Sequence, residues 1–481
     1  MDTLLTQFAA PPANRCQIAE TPSPRALMPP RPKASAAVLA LLRVALRRDG
    51  DLLSLLPANA YRMEVGPLGY SRRQILIVNR PDQVRRVLSD PEGIFPKSDL
   101  MVDALAPLIG DSIFVSSGDT WRRQRRMIDP AFTMMRVNRA FPAMEEGAQA
   151  CEDMLDRHAS EQTALSLDLA MSHLTADIIC RTVFSTGLET QAAHDVFDAF
   201  TIFEHSVAQV EIRRLIMDPA WTKVPQSESV LVACNTIRRH LGDLLDTHLG
   251  PNGERFDDIA TAVVAARDDF TQTAFTREEL IDQLGVLFLA GHETSASALT
   301  WAFYLMAMQP ALIARARAEI HALAGSSQPI TFEMTKQLPT IRNVFRETLR
   351  LYPPITFLPR VATEATMIGE RKVRRGALVM VAPWVLHRHS RYWHNPHHFD
   401  PDRFLPEREA ELTPGAYIPF GLGPRVCAGA AFAQAEAVLL IARLFRRFDF
   451  QIIRPQAVRP AARLTTRPAQ QIMVRVSRVA P

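Results

Sequence analysis

From Leu284 to Ala290 the sequence is an almost unbroken apolar run, and Thr276 and Glu279 ahead of it form a T-x-x-E capping box. A helix that is apolar on every side has to be buried. The helix that begins at Thr276 is therefore expected to cross the centre of the protein. In its middle stands "AGHETS", Ala290 to Ser295. Unpartnered polar groups there cost several kcal/mol, and glycine costs about 1 kcal/mol relative to alanine. Two readings follow. The helix is kinked and its polar groups are satisfied by neighbours, or it opens beside a ligand with a hydroxyl and a carboxylate aimed at it. The helix alone does not choose between them.

A second stretch narrows the choice. "FGLGPRVCAGAAFA", Phe420 to Ala433, sets one thiol among three glycines, a proline and an arginine, with a helical pattern directly after it. A thiolate is a soft metal ligand whose charge needs support in a buried site. Consecutive backbone N–H groups and a helix N-terminus give that support. Gly421, Gly423 and Gly429 permit tight turns and the close approach of a flat ligand. The other cysteines, Cys16, Cys151, Cys180 and Cys234, are scattered without CxxC spacing. No disulfide framework is expected, and a reducing compartment is. Cys427 has no cysteine partner for a structural zinc site. A single axial thiolate to haem iron fits the arrangement. The competing account, a small buried hydrophobe, leaves the glycine loop unexplained.

The 481 residues are long enough for a large core. A balance of 55 Lys+Arg against 51 Asp+Glu gives no argument for nucleic acid. Strands are expected at Tyr61–Gly69 and Gln74–Val78, helices from Pro81 to Tyr352, β structure over Ile355–Val381, and a hairpin in the tail "LTTRPAQQIMVRVSRV". No flexible linker divides the chain. Residues 1–33 are proline-rich and expected to be poorly ordered, and 34–481 read as a single domain. The apolar run Ala34–Leu42 is too short for a membrane span, which needs about 20 residues, and reads as a packed first helix. No secretory signal or transmembrane anchor is expected, and a cytoplasmic monomer is.

These stretches resemble the cytochrome P-450 family. "FGLGPRVCAG" matches its cysteine-loop signature F-G-x-G-x-R-x-C-x-G at every fixed position. "AGHETS" resembles its oxygen-activating stretch, "ETLR" its E-x-x-R motif, "FDPDRF" its meander, and "WRRQR" its W-x-x-x-R. The matches run in the family's order from Trp121 to Gly429. The resemblance implies a soluble, bacterial-type, single-domain member. The implied fold is triangular and mainly α, with small β sheets and haem between the long central helix and the cysteine-loop helix.

It further implies haem b (iron protoporphyrin IX) on Cys427, O2 as co-substrate, and Phe420 and Gly429 packed near the sulfur. Trp121, Arg125, Arg360 and Arg425 would meet the propionates. Thr294 and Glu293 would deliver protons, the carboxylate joining the hydroxyl to solvent, while Gly291 leaves room for oxygen and His292 faces away. Glu347, Arg350 and Arg403 would form a buried structural set that holds the meander. The implied activity is insertion of one oxygen atom into an apolar small molecule of terpenoid, fatty-acid or aromatic type.

No flavin or nicotinamide motif is present, so electrons would come from a ferredoxin or flavodoxin with its reductase. Arg122, Arg123, Arg126, Arg443, Arg446 and Arg447 are expected contacts for it. The substrate lining is expected from Pro96–Asp111, Ala199–Gln226, Leu287–Ala290, Ile355–Leu358 and Arg463–Thr465. Two rivals stand beside this reading. One is a haem-thiolate peroxygenase or isomerase without an electron partner, which typically lacks the acid–threonine pair. The other is a haem-binding sensor or electron carrier, which needs no substrate site.

Overall fold

The computed structural model describes residues 27–32, 51–68, 71–207, 217–250 and 256–479. The helix expected at Ala34–Leu42 and Cys16 lie outside these residues, as does part of the lining expected from Ala199–Gln226. Twelve helices longer than four residues are described: α1 (Pro81–Ser89), α2 (Asp99–Ile109), α3 (Gly118–Ile128), α4 (Met134–Glu161), α5 (Leu167–Phe184), α6 (Gln191–Val207), α7 (Glu228–Leu249), α8 (Ile259–Val264), α9 (Arg277–Ala307), α10 (Pro310–Ala324), α11 (Pro339–Leu351) and α12 (Ala430–Arg447). The expected mainly α architecture with small sheets is what the chain adopts.

The central helix α9 starts where the capping box places it. Thr276 Oγ1 accepts from the Glu279 N–H at 3.2 Å, and Glu279 Oε2 accepts from the Thr276 N–H at 2.8 Å. From Leu280 to Met306 nearly every side chain is buried. Near its end Trp301 stacks on Tyr352 with centroids 3.9 Å apart and donates from Nε1 to the Thr466 carbonyl at 2.7 Å. An apolar cylinder at the middle of a helical bundle explains both its length and its lack of a polar face.

Eleven short strands lie to the sides: β1 (Val65–Pro67), β2 (Ile75–Val78), β3 (Ala164–Ser166), β4 (Leu358–Val361), β5 (Thr366–Ile368), β6 (Arg371–Val373), β7 (Leu378–Val381), β8 (Phe448–Ile452), β9 (Pro460–Ala462), β10 (Thr466–Pro468) and β11 (Met473–Arg478). The largest sheet has the order β1-β2-β7-β4, with β2 and β7 parallel. The first expected strand is shorter than Tyr61–Gly69, because Ala58–Tyr61 turns as a 3-10 helix.

The tail is not one hairpin. β10 pairs with β9, whereas β11 pairs with β3 and β8 in another sheet. Within the proline-rich segment, residues 27–32 are fastened to the body. Leu27 bridges to Phe399, and Tyr352 donates its hydroxyl to the Pro30 carbonyl at 2.6 Å. Among the described residues no single helix is long and apolar enough to cross a membrane.

Candidate active site

The cysteine loop is closed by its own backbone. The Cys427 N–H donates to the Phe420 carbonyl at 2.9 Å and the Val426 N–H to Gly423 at 3.0 Å. Gly423 has φ +77°, and a Cβ there would lie 2.9 Å from the Leu88 carbonyl oxygen and 3.0 Å from Ser89 Cα at the end of α1. Only glycine lets the loop lie against that backbone. Cys427 stands just ahead of α12, whose N-cap is Gly429. Burial pushes its thiol up, opposed by a hydrogen bond from the Gly429 N–H and by the Arg125 charge. Cys151 and Cys180 are buried and pushed up to about 12, and Cys234 is buried and pushed up to about 11, all by burial. Cys427 is the exposed thiol among the described cysteines. A sulfur enclosed by protein yet accessible on one side is suited to meet a ligand inside the fold.

A matching window opens on α9. Ala290 is exposed and Gly291 and Thr294 are half-buried, on one face of a helix that is otherwise sealed. The next residue, Ser295, donates to Glu436 on α12 at 2.6 Å. That tie sets the window beside the first turns of the helix that follows Cys427. The Thr294 hydroxyl donates to the Ala290 carbonyl at 2.6 Å, so it is held on this open face.

Its neighbour Glu293 points elsewhere. Glu293 is 1 % exposed and bound by both arms of Arg467 on β10, with Nε to Oε1 at 2.9 Å, and by the Thr465 hydroxyl at 2.5 Å. Burial alone would push this carboxyl up, but Arg467 and Thr465 hold it below the ordinary value. The expected direct link from Glu293 to solvent is therefore corrected: the carboxylate is closed off by its ion pair. A Cβ at Gly291 would lie 2.3 Å from Ile179 Cδ1, so glycine here also lets α5 pack closely on α9. His292 turns towards α6, against Phe197, Phe200 and Phe288, with both ring nitrogens unpartnered. Burial pushes it down to about 4, so it is neutral at pH 7.

A cluster of cations forms the far side of the site. Lys97 and Arg360 are cross-strand partners, and Arg425 reaches the same region from the cysteine loop. Arg425 lies over the Trp121 ring at 4.4 Å from the centroid and donates to the Ser116 carbonyl at 2.7 Å. Its Nη1 is buried without a partner. Burial pushes Arg360 and Arg425 down to about 10, with Asp90 opposing at longer range. Lys97 is pushed well down by burial and then by the two guanidinium charges. Partially buried like charges gathered without a contacting carboxylate fit a ligand that brings its own. Lys97 is a site residue that the sequence reading placed only within a substrate-lining segment. Arg125, expected in this group, instead pairs with Asp129 and donates from Nη1 to the Val426 carbonyl at 2.7 Å. It braces the cysteine loop against α3.

Behind the loop, Glu347 and Arg350 are both fully buried and joined by two 2.7 Å bonds. Arg350 also donates to the carbonyls of His387, Pro396 and His398. Arg403 joins Glu347 at 3.3 Å and donates to His394 and Asn395. The set bonds the meander backbone directly to α11. Asp402, the departure from the usual glutamate, only pairs with Arg315 at the surface.

The arginines expected to meet an electron donor are largely committed within the chain. Arg122 pairs with Asp119, Arg123 with Glu279, Arg126 with Asp268, and Arg443 and Arg447 with Glu152. Arg446 donates to the Gln328 carbonyl. Five of the six therefore have a carboxylate partner within the chain, and Arg446 has only that carbonyl.

The model of the cytochrome P450 family matches residues 59–476. The chain is 31 % identical over 431 residues to cyclooctatin synthase of Streptomyces melanosporofaciens, covering 87 % of this chain and 89 % of that protein. It is 29 % identical to cyclooctat-9-en-7-ol 5-monooxygenase of the same organism, over 89 % of this chain and 92 % of the relative. Among solved structures, the heme domain of cytochrome P450DA superposes with a TM-score of 0.77 at 25 % identity, covering 87 % of this chain and 90 % of that one. The glycine-built thiol loop, the opened central helix and these matches over most of its length together make the chain a member of the cytochrome P450 family.

Proposed function

We propose that this chain is a haem-thiolate monooxygenase with Cys427 as the iron ligand, inserting one oxygen atom from O2 into an apolar small molecule. As a member of its family it is an oxidoreductase that uses haem b and O2. The observation that carries the reading is the exposed Cys427 thiol in a glycine-built loop, beside an α9 whose only opening holds Thr294.

Haem, when bound, supplies activation of O2 and transfer of one oxygen atom. The protein's own groups do the rest. Gly429 N–H and the start of α12 support negative charge at Cys427. Lys97, Arg360 and Arg425 would hold the haem propionates, and Trp121 orients Arg425. Thr294 holds a proton-carrying hydroxyl on the open face of α9. Gly429 lies beside the sulfur, and the Phe420 carbonyl binds the Cys427 N–H. Glu347, Arg350 and Arg403 keep the loop in register.

The substrate class is apolar, of terpenoid, fatty-acid or aromatic type, in keeping with the ring alcohol named for one relative. The electron donor is a separate ferredoxin or flavodoxin with its reductase. The match to the P450 family covers residues 59–476. The protein acts as a soluble, bacterial-type monomer in the cytoplasm. The test is a spectral screen of apolar compounds against the ferric protein. Turnover of the hits under labelled O2 with a ferredoxin and its reductase follows. One labelled oxygen atom per product is expected. Turnover with peroxide alone and none with reductant would overturn the reading in favour of a peroxygenase.

A further inference from the structure

Glu293 is sealed, yet a proton route needs a carboxyl that meets water. The structure holds such a group one helix away. Glu204 on α6 is 19 % exposed at its side chain and its Oε1 stands 3.9 Å from Nε of Arg467, the same nitrogen that binds Glu293 at 2.9 Å. Two carboxyl groups thus share one guanidinium. Ionising both would leave a net negative charge in a largely buried contact with a single cation, which favours one proton held by the pair. The placement is set by packing. Phe197, Phe200 and Glu204 follow one face of α6, and the two rings lie on His292 at 5.6 and 5.1 Å.

We infer that Glu204 is the solvent-side proton donor to Glu293, and that Arg467 allows the proton to pass between them without a change of net charge. Before transfer, Glu204 is neutral, Glu293 is an anion and Arg467 a cation. The Glu204 O–H bond breaks, an O–H bond forms on Glu293, and the negative charge moves to Glu204, still facing Arg467. No electron moves. Water at the open edge of Glu204 then restores its proton. Burial and the Glu293 charge push Glu204 up to about 8, with Arg467 and Arg463 opposing. The other groups at this contact are His292, neutral at pH 7, and Asp168, which acts on Arg467. Glu204 is a positioning residue, acting through Glu293.

The inference rests on the monooxygenase reading for its purpose, so one arm of the test is independent of turnover. Infrared difference spectra of the purified holoprotein are recorded as pH rises through about 8. The protonated-carboxyl absorption that disappears in this range is expected to be smaller in Glu204→Gln than in the wild type. Glu436, also pushed up to about 8, gives its own band, so Glu436→Gln is recorded in parallel. A wild-type spectrum retained by Glu204→Gln overturns the inference whatever the enzyme's reaction.

The second arm measures product formed per electron pair across the same pH range. In the wild type this ratio is expected to fall as pH passes about 8. In Glu204→Gln it is expected to be lower by about tenfold or more and flat with pH. A wild-type inflexion kept by the variant overturns the inference.

Discussion

Arg425 lies over the ring of Trp121 while its Nη1 has no hydrogen-bond partner. The stacking fixes a cation where burial disfavours it, and Lys97 and Arg360 add to the repulsion. Such a cluster costs stability unless an anion is bound. Two opposite effects are therefore expected of Arg425→Met. The haem-free protein should gain about 1–3 kcal/mol, since a buried unpaired polar group is removed. The haem-to-protein ratio after purification should fall. Apoprotein thermal unfolding and haem quantitation measure the two, and an unchanged haem content would detach this cluster from the propionates.

Cys427→Ala should lose the red-shifted Soret band of the ferrous carbonyl complex. The other described cysteines are buried in the core with thiols pushed up, so none is placed to substitute. A variant that keeps the band would show a different residue on the iron.

Glu347→Ala should yield little folded, haem-loaded protein. It strands Arg350, which is fully buried, and releases the Asp400 N–H that donates to Glu347 at 2.9 Å. Removing one partner of a buried ionic set typically costs about 3–5 kcal/mol. Normal expression with normal haem content would mean that the meander is held by other contacts.

The residues legible in the sequence are those whose chemistry is expensive where it stands. A hydroxyl and an acid in an apolar helix, and a thiol among glycines, marked Thr294, Glu293 and Cys427 before any fold was known. What was not legible depends on pairings between distant segments. Lys97 joins the cation cluster only because its strand meets that of Arg360. Arg467 closes over Glu293 only because β10 pairs with β9 beside α9, where the tail sequence read as a self-contained hairpin. The arginines on α3 and α12 look like a free basic face in a linear sequence. All of them but Arg446 find carboxylate partners on other elements or at the opposite end of the same turn.

Glu436 carries a pH signature of its own. It is fully buried, accepts from Ser295, and burial pushes it up to about 8. An unfolded glutamate titrates at about 4.3. Between these values the native state binds the extra proton, so this group's contribution to stability falls as pH rises from about 4 to about 8. Above that range the full penalty, a few kcal/mol in order of magnitude, is present. Glu436→Gln keeps an acceptor for Ser295 and cannot ionise. Its stability relative to wild type should grow across that window and vanish at low pH. Denaturant midpoints of both proteins at a series of pH values decide it, and parallel curves would contradict the assignment.

Thr294→Ala should separate electron consumption from product formation. Thr294 and Glu293 are neighbours on α9, yet the helical repeat turns them to different faces. Glu293 is held by Arg467 and Thr465, while Thr294 stands on the opened face with its hydroxyl on the Ala290 carbonyl. Removing the hydroxyl frees that carbonyl's second lone pair and disturbs no ion pair, so folding, haem binding and substrate binding should be intact. The loss falls on proton placement. A positioned acid–base group is worth about 10²–10⁴-fold in the step it serves. Reducing equivalents should still be consumed, but leave as hydrogen peroxide or water. Glu293→Gln should lower the same ratio and also loosen β10, because Arg467 loses its counter-charge. The measurement is product per electron pair, with one redox partner and one substrate for all variants. Equal ratios for Thr294→Ala and wild type would show that the opened face of α9 takes no part in delivering protons.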